Sequence, residues 1–286
     1  ASRSKEMSHN YNIPSFSNLE SLLKVSDAVS VVTPTSLHYK IAMEALDTNC
    51  HVFIEKPITD NLSHAGALLK KASEVKKIIQ VGHIERFNPA FMELKKMDIA
   101  PHFVETHRLA PFNPRGNDVP VILDLMIHDL DIILSLINAK IQDIRANGVK
   151  VVSKTIDIAN ARLEFDNGCV ANLTASRISQ KELRKMRLFQ EDNYITIDFQ
   201  KGILEEYKVC QEEPNIVTAK EVIKIGTENK KYILYNRPVI PKHDALEEEL
   251  RHFIHSIYHA SRPETDGDSA TEALRLALEI QSIIDH

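Results

Sequence analysis

The chain has 286 residues, long enough for two domains, because a single hydrophobic core stops growing near about 250–300 residues. With 43% hydrophobic and 26% charged residues it has the composition of a globular protein, and its net charge of -5 predicts no nucleic-acid partner. Its apolar runs are far shorter than the ~18 residues of a membrane span, so no membrane partner is expected. Three widely spaced cysteines and a polar beginning predict a cytoplasmic protein.

Residues 1–100 predict an α/β domain with a parallel sheet. Short β-branched apolar runs, typical of buried strands, alternate with segments whose apolar residues recur at helical spacing. The apolar runs are 28–32, 52–54 and 78–81, and the helical segments are 36–46 and 64–76. Asn49 follows the first helical segment and tolerates the left-handed backbone that ends helices. Strands that alternate with helices in this way indicate βαβ units.

Residues 101–286 predict an α+β domain. After a long apolar helix over 119–137, strand-like segments follow one another with short turns between them. These segments are 141–146, 156–165, 169–176, 185–189, 194–198 and 203–207, and two closing helices are expected over 244–259 and 271–284. Because strands joined by short turns pair antiparallel, we expect a large open, mostly antiparallel sheet.

A first group of polar residues follows two of the parallel strands. Thr33 and Thr35 come after the first strand, and Glu55 and Lys56 end the second. Ligands of doubly wound sheets bind beyond the carboxyl ends of the strands, so these side chains would line a crevice there. Pro57 would hold Lys56 in extended backbone, where its ammonium could polarise a substrate oxygen. The alternative is a solvated lysine at a strand end, and spacing alone favours it.

A second group lies on the predicted helix over 119–137. Asp124 and His128 are four residues apart and Asp131 is three further on, which places them on one stripe of an otherwise apolar helix. A carboxylate one turn from a histidine can orient it as a general base. The stripe could instead pin the helix through an internal Asp–His hydrogen bond. A metal-dependent hydrolase is a more distant alternative, because no third ligand has suitable spacing.

A third group is the segment 82–89, which follows the third strand. Arg86 and Asn88 can donate hydrogen bonds to the polar groups of a substrate, although Arg86 could equally form an interdomain salt bridge. Arg108 and Arg115, expected in the loop before the Asp124/His128 helix, are weaker candidates of the same kind.

Taken together, these motifs resemble the Gfo/Idh/MocA family of NAD(P)-dependent oxidoreductases, and the resemblance covers almost the whole chain. The matching residues are Thr33-Pro34 with His38, Glu55-Lys56-Pro57, Gly82 with Arg86-Phe87 and Pro89, and Asp124 with His128. The resemblance implies a Rossmann-like dinucleotide-binding domain over 1–100. It also implies a substrate-binding and oligomerisation domain over 101–286, whose closing helices pack back on the first.

The resemblance also implies roles for individual residues. The catalytic set would be Lys56, Asp124 and His128, with His128 as the base, Lys56 stabilising the alkoxide and Asp124 orienting the site. The cofactor NAD or NADP would contact Thr33, Pro34, Thr35, His38, Glu55, Lys56 and Arg86. The substrate would contact Lys56, Arg86, Asn88, Arg115, Asp124 and His128. No metal is implied.

The implied reaction is hydride transfer between the nicotinamide and a hydroxyl or keto carbon of a sugar, nucleotide-sugar or polyol. The sequence of residues 82–89 is similar to that of members acting on nucleotide-linked amino sugars, for example at C3 of UDP-N-acetylglucosamine. The resemblance also implies a homodimer or homotetramer. A non-catalytic, dinucleotide-sensing regulator is the alternative, and the presence of all three catalytic residues favours the enzyme.

The chain departs from the family at its start. Members open with a strand, a Gly-rich loop and a helix, and no G-x-G-x-x-G occurs in this sequence. We expect these elements, about 30 residues, to precede residue 1. In the family, the acidic residue that decides between NAD and NADP belongs to that segment.

Overall fold

A computed structural model describes residues 2–113, 119–211, 221–225 and 231–286 of the chain. The described chain forms two compact units. The first consists of Ala1–Gly82 with Phe253–Asp268, and the second of His83–His252 with Ser269–His286. Among the described residues, no helix combines the length and the apolar character needed to cross a membrane.

The first unit is built on a three-stranded parallel sheet. Strands β1 (Ala28–Val31), β2 (His51–Glu55) and β3 (Ile79–Gly82) are hydrogen-bonded in the order β1-β2-β3. Helix α3 (His38–Asp47) connects β1 to β2, and helix α4 (Leu62–Val75) connects β2 to β3. Two earlier helices are α1 (Ser2–Tyr11) and α2 (Leu19–Leu23). The alternating strands and helices confirm the predicted parallel α/β architecture.

Local sequence explains where the helices of this unit begin and end. The side chain of Asn61 accepts a hydrogen bond from the backbone N–H of His64 and caps the start of α4. Lys76, with φ 53°, ends that helix in left-handed backbone. Asn49, with φ 62°, occupies the same region after α3, as its side chain predicted. These caps fix the points at which the chain enters β2 and β3.

The second unit contains a nine-stranded sheet in the order β11-β12-β10-β9-β8-β4-β7-β6-β5. Its strands are β4 (Phe103–Leu109), β5 (Ile141–Val149), β6 (Ile158–Phe165), β7 (Val170–Ser176), β8 (Leu183–Phe189), β9 (Asn193–Asp198), β10 (Ile203–Cys210), β11 (Glu221–Ile225) and β12 (Lys231–Asn236). Only β4 and β7 pair in parallel among these strands, which confirms the predicted open, mostly antiparallel sheet. Its helices include α5 (Pro89–Leu94) and α6 (Ile127–Leu136). The closing helices α7 (Ala245–His259) and α8 (Gly267–Asp285) each have residues in both units.

Two hairpins of this sheet turn at glycines that the sequence marked. Gly168, with φ 82°, joins β6 to β7, and Gly202, with φ 63°, joins β9 to β10. Side chains other than glycine rarely adopt these backbone angles, so the turn positions follow from the sequence.

Asp157, fully buried, organises the connection between β5 and β6. Its carboxylate accepts hydrogen bonds from the backbone N–H groups of Val151, Val152 and Ser153, and from the Ser153 hydroxyl. Burial alone would raise the pKa of Asp157, but these hydrogen bonds outweigh it and hold that pKa well below its usual range. The ionised carboxylate therefore stabilises the turn in the folded chain.

Replacing Asp157 with asparagine is expected to lower the free energy of unfolding by about 1.5–3 kcal/mol at neutral pH, the usual contribution of hydrogen bonds to charged groups. Because the pKa of Asp157 is lowered by folding, its stabilisation is complete above the unfolded value of about 3.9 and is lost as pH falls below it.

Urea unfolding between about pH 7 and pH 3 measures this effect. The difference between wild type and D157N should be constant above about pH 5 and shrink below about pH 4. Asp143→Asn is the control, because Asp143 on β5 is about half exposed and pairs only with Arg145 among the described residues. It should change stability by less than about 0.5 kcal/mol. A D157N difference that is independent of pH would contradict this role of the carboxylate.

Candidate active site

In the first unit, several predicted site residues lie at the carboxyl ends of the parallel strands. Thr33 follows β1 by two residues, Glu55 is the last residue of β2, and Lys56 comes directly after it. The Thr33 hydroxyl oxygen is buried, and no described residue hydrogen-bonds to it. A buried polar atom of this kind indicates a place for a ligand, at the sheet edge where dinucleotides bind.

Gly82 at the end of β3 lets the Glu55 carboxylate lie close to the sheet. A Cβ at position 82 would be 2.9 Å from Glu55 Oε2 and 3.3 Å from the Glu55 Cα. Glycine therefore leaves room here for a close approach of Glu55, and a larger residue would force the Glu55 side chain to shift. The Glu55 carboxylate also accepts a hydrogen bond from the Lys56 backbone N–H.

His38 occupies a different kind of position from its neighbours. Its side chain is 1% exposed, and each of its ring nitrogens lies within hydrogen-bonding distance of a backbone carbonyl oxygen. By contrast, Pro34 is exposed and Thr35 is half-buried. The predicted cofactor contact of His38 stays a prediction.

In the second unit, Asp124 and His128 lie on adjoining turns of different helical type. Asp124 belongs to a π-helical turn, Ile122–Met126, and His128 to the first turn of α6. Single π-helical turns inside helices are frequent at functional sites, and the sequence pattern did not predict this one. Both side chains are half-buried in an otherwise apolar segment.

A buried polar cluster surrounds the first turns of α6. The Arg86 Nε donates to the Asp131 carboxylate at 2.8 Å, and the His83 Nδ1 lies 4.0 Å from the same carboxylate. The ring of His83 meets the ring of His128 edge to face, with centroids 6.5 Å apart. The second unit thus brings Arg86, Asp131 and His83 close to the predicted base. Arg86 forms its salt bridge inside this unit.

A second buried ion pair lies beside the first. Arg108 on β4 donates two hydrogen bonds to Asp129, at 2.8 and 3.0 Å, and a third to Glu85 at 2.7 Å. Its guanidinium carbon lies 5.8 Å from the centroid of the Phe199 ring, as in a cation–π contact. The Asn88 amide donates to Glu85 and to the Phe199 carbonyl. Arg86 and Asn88 are each 8% exposed.

Burial and charge oppose each other in this ion pair. Burial alone would lower the pKa of the Arg108 guanidinium, but the charges of Asp129 and Glu85 outweigh it and raise that pKa. Burial raises the pKa of the Asp129 carboxyl even though Arg108 opposes it. The guanidinium therefore stays charged, and its positive charge is what makes the burial of two carboxylates possible.

Sequence reasoning missed three members of this cluster: Glu85, Asp129 and His83. It named Arg108 but expected it in a loop, which was wrong, because Arg108 lies on β4 with a 3% exposed side chain. The proposed substrate residue Arg115 lies outside the described residues. Lys56 belongs to the first unit, whereas Asp124 and His128 belong to the second, and their convergence stays a prediction.

Within the part of the chain that the structure describes, no group of three or more His, Cys, Asp or Glu side chains could hold a metal ion.

Comparison with known proteins gives matches in both halves of the chain. A model described as an oxidoreductase family with an NAD-binding Rossmann fold matches residues 1–83, and the GFO/IDH/MocA C-terminal domain matches residues 98–205. The parallel α/β unit and these matches define an NAD-binding oxidoreductase, as the sequence predicted.

Individual relatives agree with this class. UDP-N-acetylglucosamine 3-dehydrogenase of Acidithiobacillus ferrooxidans is 36% identical over 288 residues, covering 100% of this chain and 87% of that protein. The solved structure of the enzyme has a TM-score of 0.88 and 35% identity, and the match covers 99% of this chain and 87% of that one. The scyllo-inositol 2-dehydrogenase (NAD(+)) of Bacillus subtilis is 30% identical over 169 residues, 54% of this chain and 49% of that protein. The chain belongs to the GFO/IDH/MocA family of oxidoreductases.

Proposed function

We propose that the protein is a dehydrogenase of a nucleotide-linked sugar, and that it oxidises C3 of UDP-N-acetylglucosamine. The observation that carries this proposal is the similarity to the enzyme with that activity, which extends over the whole chain. The similarity to scyllo-inositol 2-dehydrogenase extends over about half of it. A substrate domain that resembles the nucleotide-sugar enzyme throughout favours the larger substrate.

We propose that the carboxyl ends of β1 and β2 hold the nicotinamide half of the cofactor. Thr33, Glu55 and Lys56 fit this role, because they combine a buried hydroxyl, a carboxylate and an ammonium at the ligand-binding edge of a parallel sheet. The exposed Pro34 and the half-buried Thr35 would border the same edge, and Arg86 is proposed to reach the cofactor from the second unit. The cofactor, when bound, supplies a hydride acceptor.

In this proposal His128 removes the proton of the sugar hydroxyl and Lys56 stabilises the negative charge that develops on its oxygen. A positioned base contributes about 10²–10⁴-fold to the rate, and a preset positive charge acts without reorganisation. Asp124, one turn from His128, would orient the imidazole. Arg86, Asn88 and Arg115 are proposed to hold the distal part of the substrate. This assignment requires the two units to bring Lys56 and His128 to one cleft.

The test measures absorbance of the reduced nicotinamide while the purified protein is mixed with NAD or NADP and one substrate at a time. The panel contains UDP-N-acetylglucosamine, UDP-glucose, free N-acetylglucosamine, scyllo-inositol and myo-inositol. We expect reduction with UDP-N-acetylglucosamine and a 3-keto product by mass spectrometry. A higher kcat/KM for an inositol would contradict the substrate assignment. Cofactor binding without turnover on any substrate would favour a non-catalytic regulator.

We also propose that the protein is a homodimer or homotetramer that associates through the outer face of the nine-stranded sheet. That face carries five half-buried aromatic rings in a continuous ladder, with neighbouring centroids 4.9–5.6 Å apart. The rings belong to Phe103, Phe189, Tyr194, Tyr207 and Tyr235. Aromatic residues are enriched at protein interfaces, so such a ladder suits a partner surface. A monomeric mass by light scattering would contradict this proposal.

We also propose the cellular location of the protein and the division of its chain into domains. The three cysteines are free, which supports a reducing cytoplasmic location. The division into a cofactor domain over 1–100 and a substrate domain over 101–286, with the closing helices packing back on the first, is proposed from the sequence.

A further inference from the structure

His38 connects the ends of two parallel strands through its imidazole ring. The ring Nε2 lies 2.8 Å from the carbonyl oxygen of Thr33, beyond β1, and the ring Nδ1 lies 2.9 Å from the carbonyl oxygen of Pro57, beyond β2. The side chain is 1% exposed, so water has almost no access to these contacts. One side chain on the first turn of α3 therefore joins the segments that carry Thr33 and Lys56.

Both partners of the ring are main-chain carbonyl oxygens, which only accept hydrogen bonds. At least one ring nitrogen carries a proton in every tautomer, so the ring donates a hydrogen bond to at least one of the two carbonyls and contacts the other. A ring held between the two oxygens in this way sets the separation of the segments that carry them.

The charged and titratable groups around the ring do not replace these bonds. On the elements that pack against α3 at this end, they are Tyr39 and Lys40 on α3, Glu55 and Lys56 at the end of β2, and Asp60 and His64 at the start of α4. Asp60 pairs with His64, whose ring stacks on Tyr39, and the Glu55 carboxylate accepts from the Lys56 backbone. The ring therefore keeps its two contacts with the Thr33 and Pro57 carbonyls.

We propose that His38 is a positioning residue, which through the carbonyls of Thr33 and Pro57 holds the Lys56 backbone at a fixed distance from the end of β1. We call this arrangement the His38 clamp. Lys56 is flanked by Glu55, the end of β2, and by Pro57, whose carbonyl the clamp holds. The ring acts through the backbone and need not touch the cofactor. This inference deepens the proposed function, in which Lys56 stabilises the developing alkoxide, and it rests on that function.

The clamp is tested without activity by measuring backbone amide hydrogen exchange in the wild type and in His38→Gln. Loss of the imidazole between the two carbonyls should speed exchange in residues 33–35 and 55–58, because local opening there becomes easier. His51→Gln is the control in the same measurement, because His51 lies at the opposite end of β2, where its Nδ1 accepts a hydrogen bond from the Ile78 backbone N–H. Unchanged exchange of both segments in His38→Gln would overturn the proposal.

The positioning role is tested by His38→Gln and His38→Phe, with His51→Gln as the matched control on the same sheet. The glutamine variant keeps a donor and can fold if the phenylalanine variant cannot. We expect His38→Gln to lower kcat about 10–100-fold, the usual effect of misplacing a catalytic group by about 1 Å, while KM for the sugar nucleotide stays within about threefold.

His51→Gln should lower thermal stability but leave kcat unchanged. Wild-type kcat in a folded His38→Gln protein would overturn the positioning role. A wild-type protein that lacks turnover would refute the proposed function instead, and the hydrogen-exchange measurement would still decide the clamp.

Discussion

Replacing His128 with glutamine is expected to lower turnover at least about a hundredfold and to leave the dissociation constant of the cofactor within about twofold of the wild type. A general base contributes to the rate only when it lies within reach of the proton that it removes, and glutamine cannot accept that proton at neutral pH. Because His128 lies on α6 in the second unit, its loss should not disturb the strand ends proposed to hold the cofactor. Steady-state kinetics and cofactor fluorescence titration measure the two quantities.

Ser135→Ala is the matched control for this substitution. Ser135 lies two turns further along α6 at an exposed position, and its hydroxyl donates to the Ile132 carbonyl within the same helix. Its removal should change turnover by less than about twofold, as expected for a surface position. Equal kcat in the His128→Gln and wild-type proteins would remove His128 from the mechanism, and an equal loss in both variants would indicate a general effect on the helix.

The sequence predicted the elements whose signals are local. The buried strand β2 follows from Val52, Phe53 and Ile54, which are all apolar because both faces of a parallel strand are covered. The end of α3 follows from Asn49, and the hairpins from Gly168 and Gly202, because few residues tolerate their backbone angles. The fold class depends on such local signals, and for this reason it could be predicted correctly.

Strand β4 was not predicted, and the buried charge network explains why. Its core-facing positions are Val104, Thr106 and Arg108, so the alternation of apolar and polar residues that marks a strand is broken. Arg108 is 23 residues from Glu85 and 21 from Asp129 in the chain. No local pattern reveals a partnership across such a separation. Strand β4 would have been predicted if Arg108 had been counted with Val104 and Thr106 as a residue that faces the core.

The helix that carries the predicted base also differs from what residue spacing predicted. A regular α-helix places Asp124, His128 and Asp131 on one stripe, and from this spacing an Asp–His pair was one interpretation. In the structure Asp124 lies in a π-helical turn, and the Asp131 carboxylate binds Arg86. Single π-helical turns are rare, so a spacing that assumes a regular α-helix could not predict this one.

Replacing Arg108 with methionine is expected to lower the free energy of unfolding by about 3–5 kcal/mol at neutral pH, because it leaves two buried carboxylates without their cation. Asp129 and Glu85 are 3% and 8% exposed, so water cannot take over the role of the guanidinium. Burial already raises the pKa of the Asp129 carboxyl in the wild type, and removal of Arg108 favours its protonated form further. The deficit of the variant should therefore shrink as the pH is lowered and the carboxyls take up protons. Urea unfolding measures it.

Two further variants separate charge burial from loss of packing. Arg187 on β8 pairs with Glu105 at 2.8 Å but is 42% exposed, so Arg187→Met removes a surface pair and should cost no more than about 1 kcal/mol. In the triple variant Arg108→Met, Glu85→Gln, Asp129→Asn no charge of this ion pair remains, and stability should recover to within about 1–2 kcal/mol of wild type. A loss in Arg108→Met that matches that of Arg187→Met would show that the buried carboxylates are not the cause. A triple variant as unstable as Arg108→Met would assign the loss to the missing guanidinium packing, including its contact with the Phe199 ring.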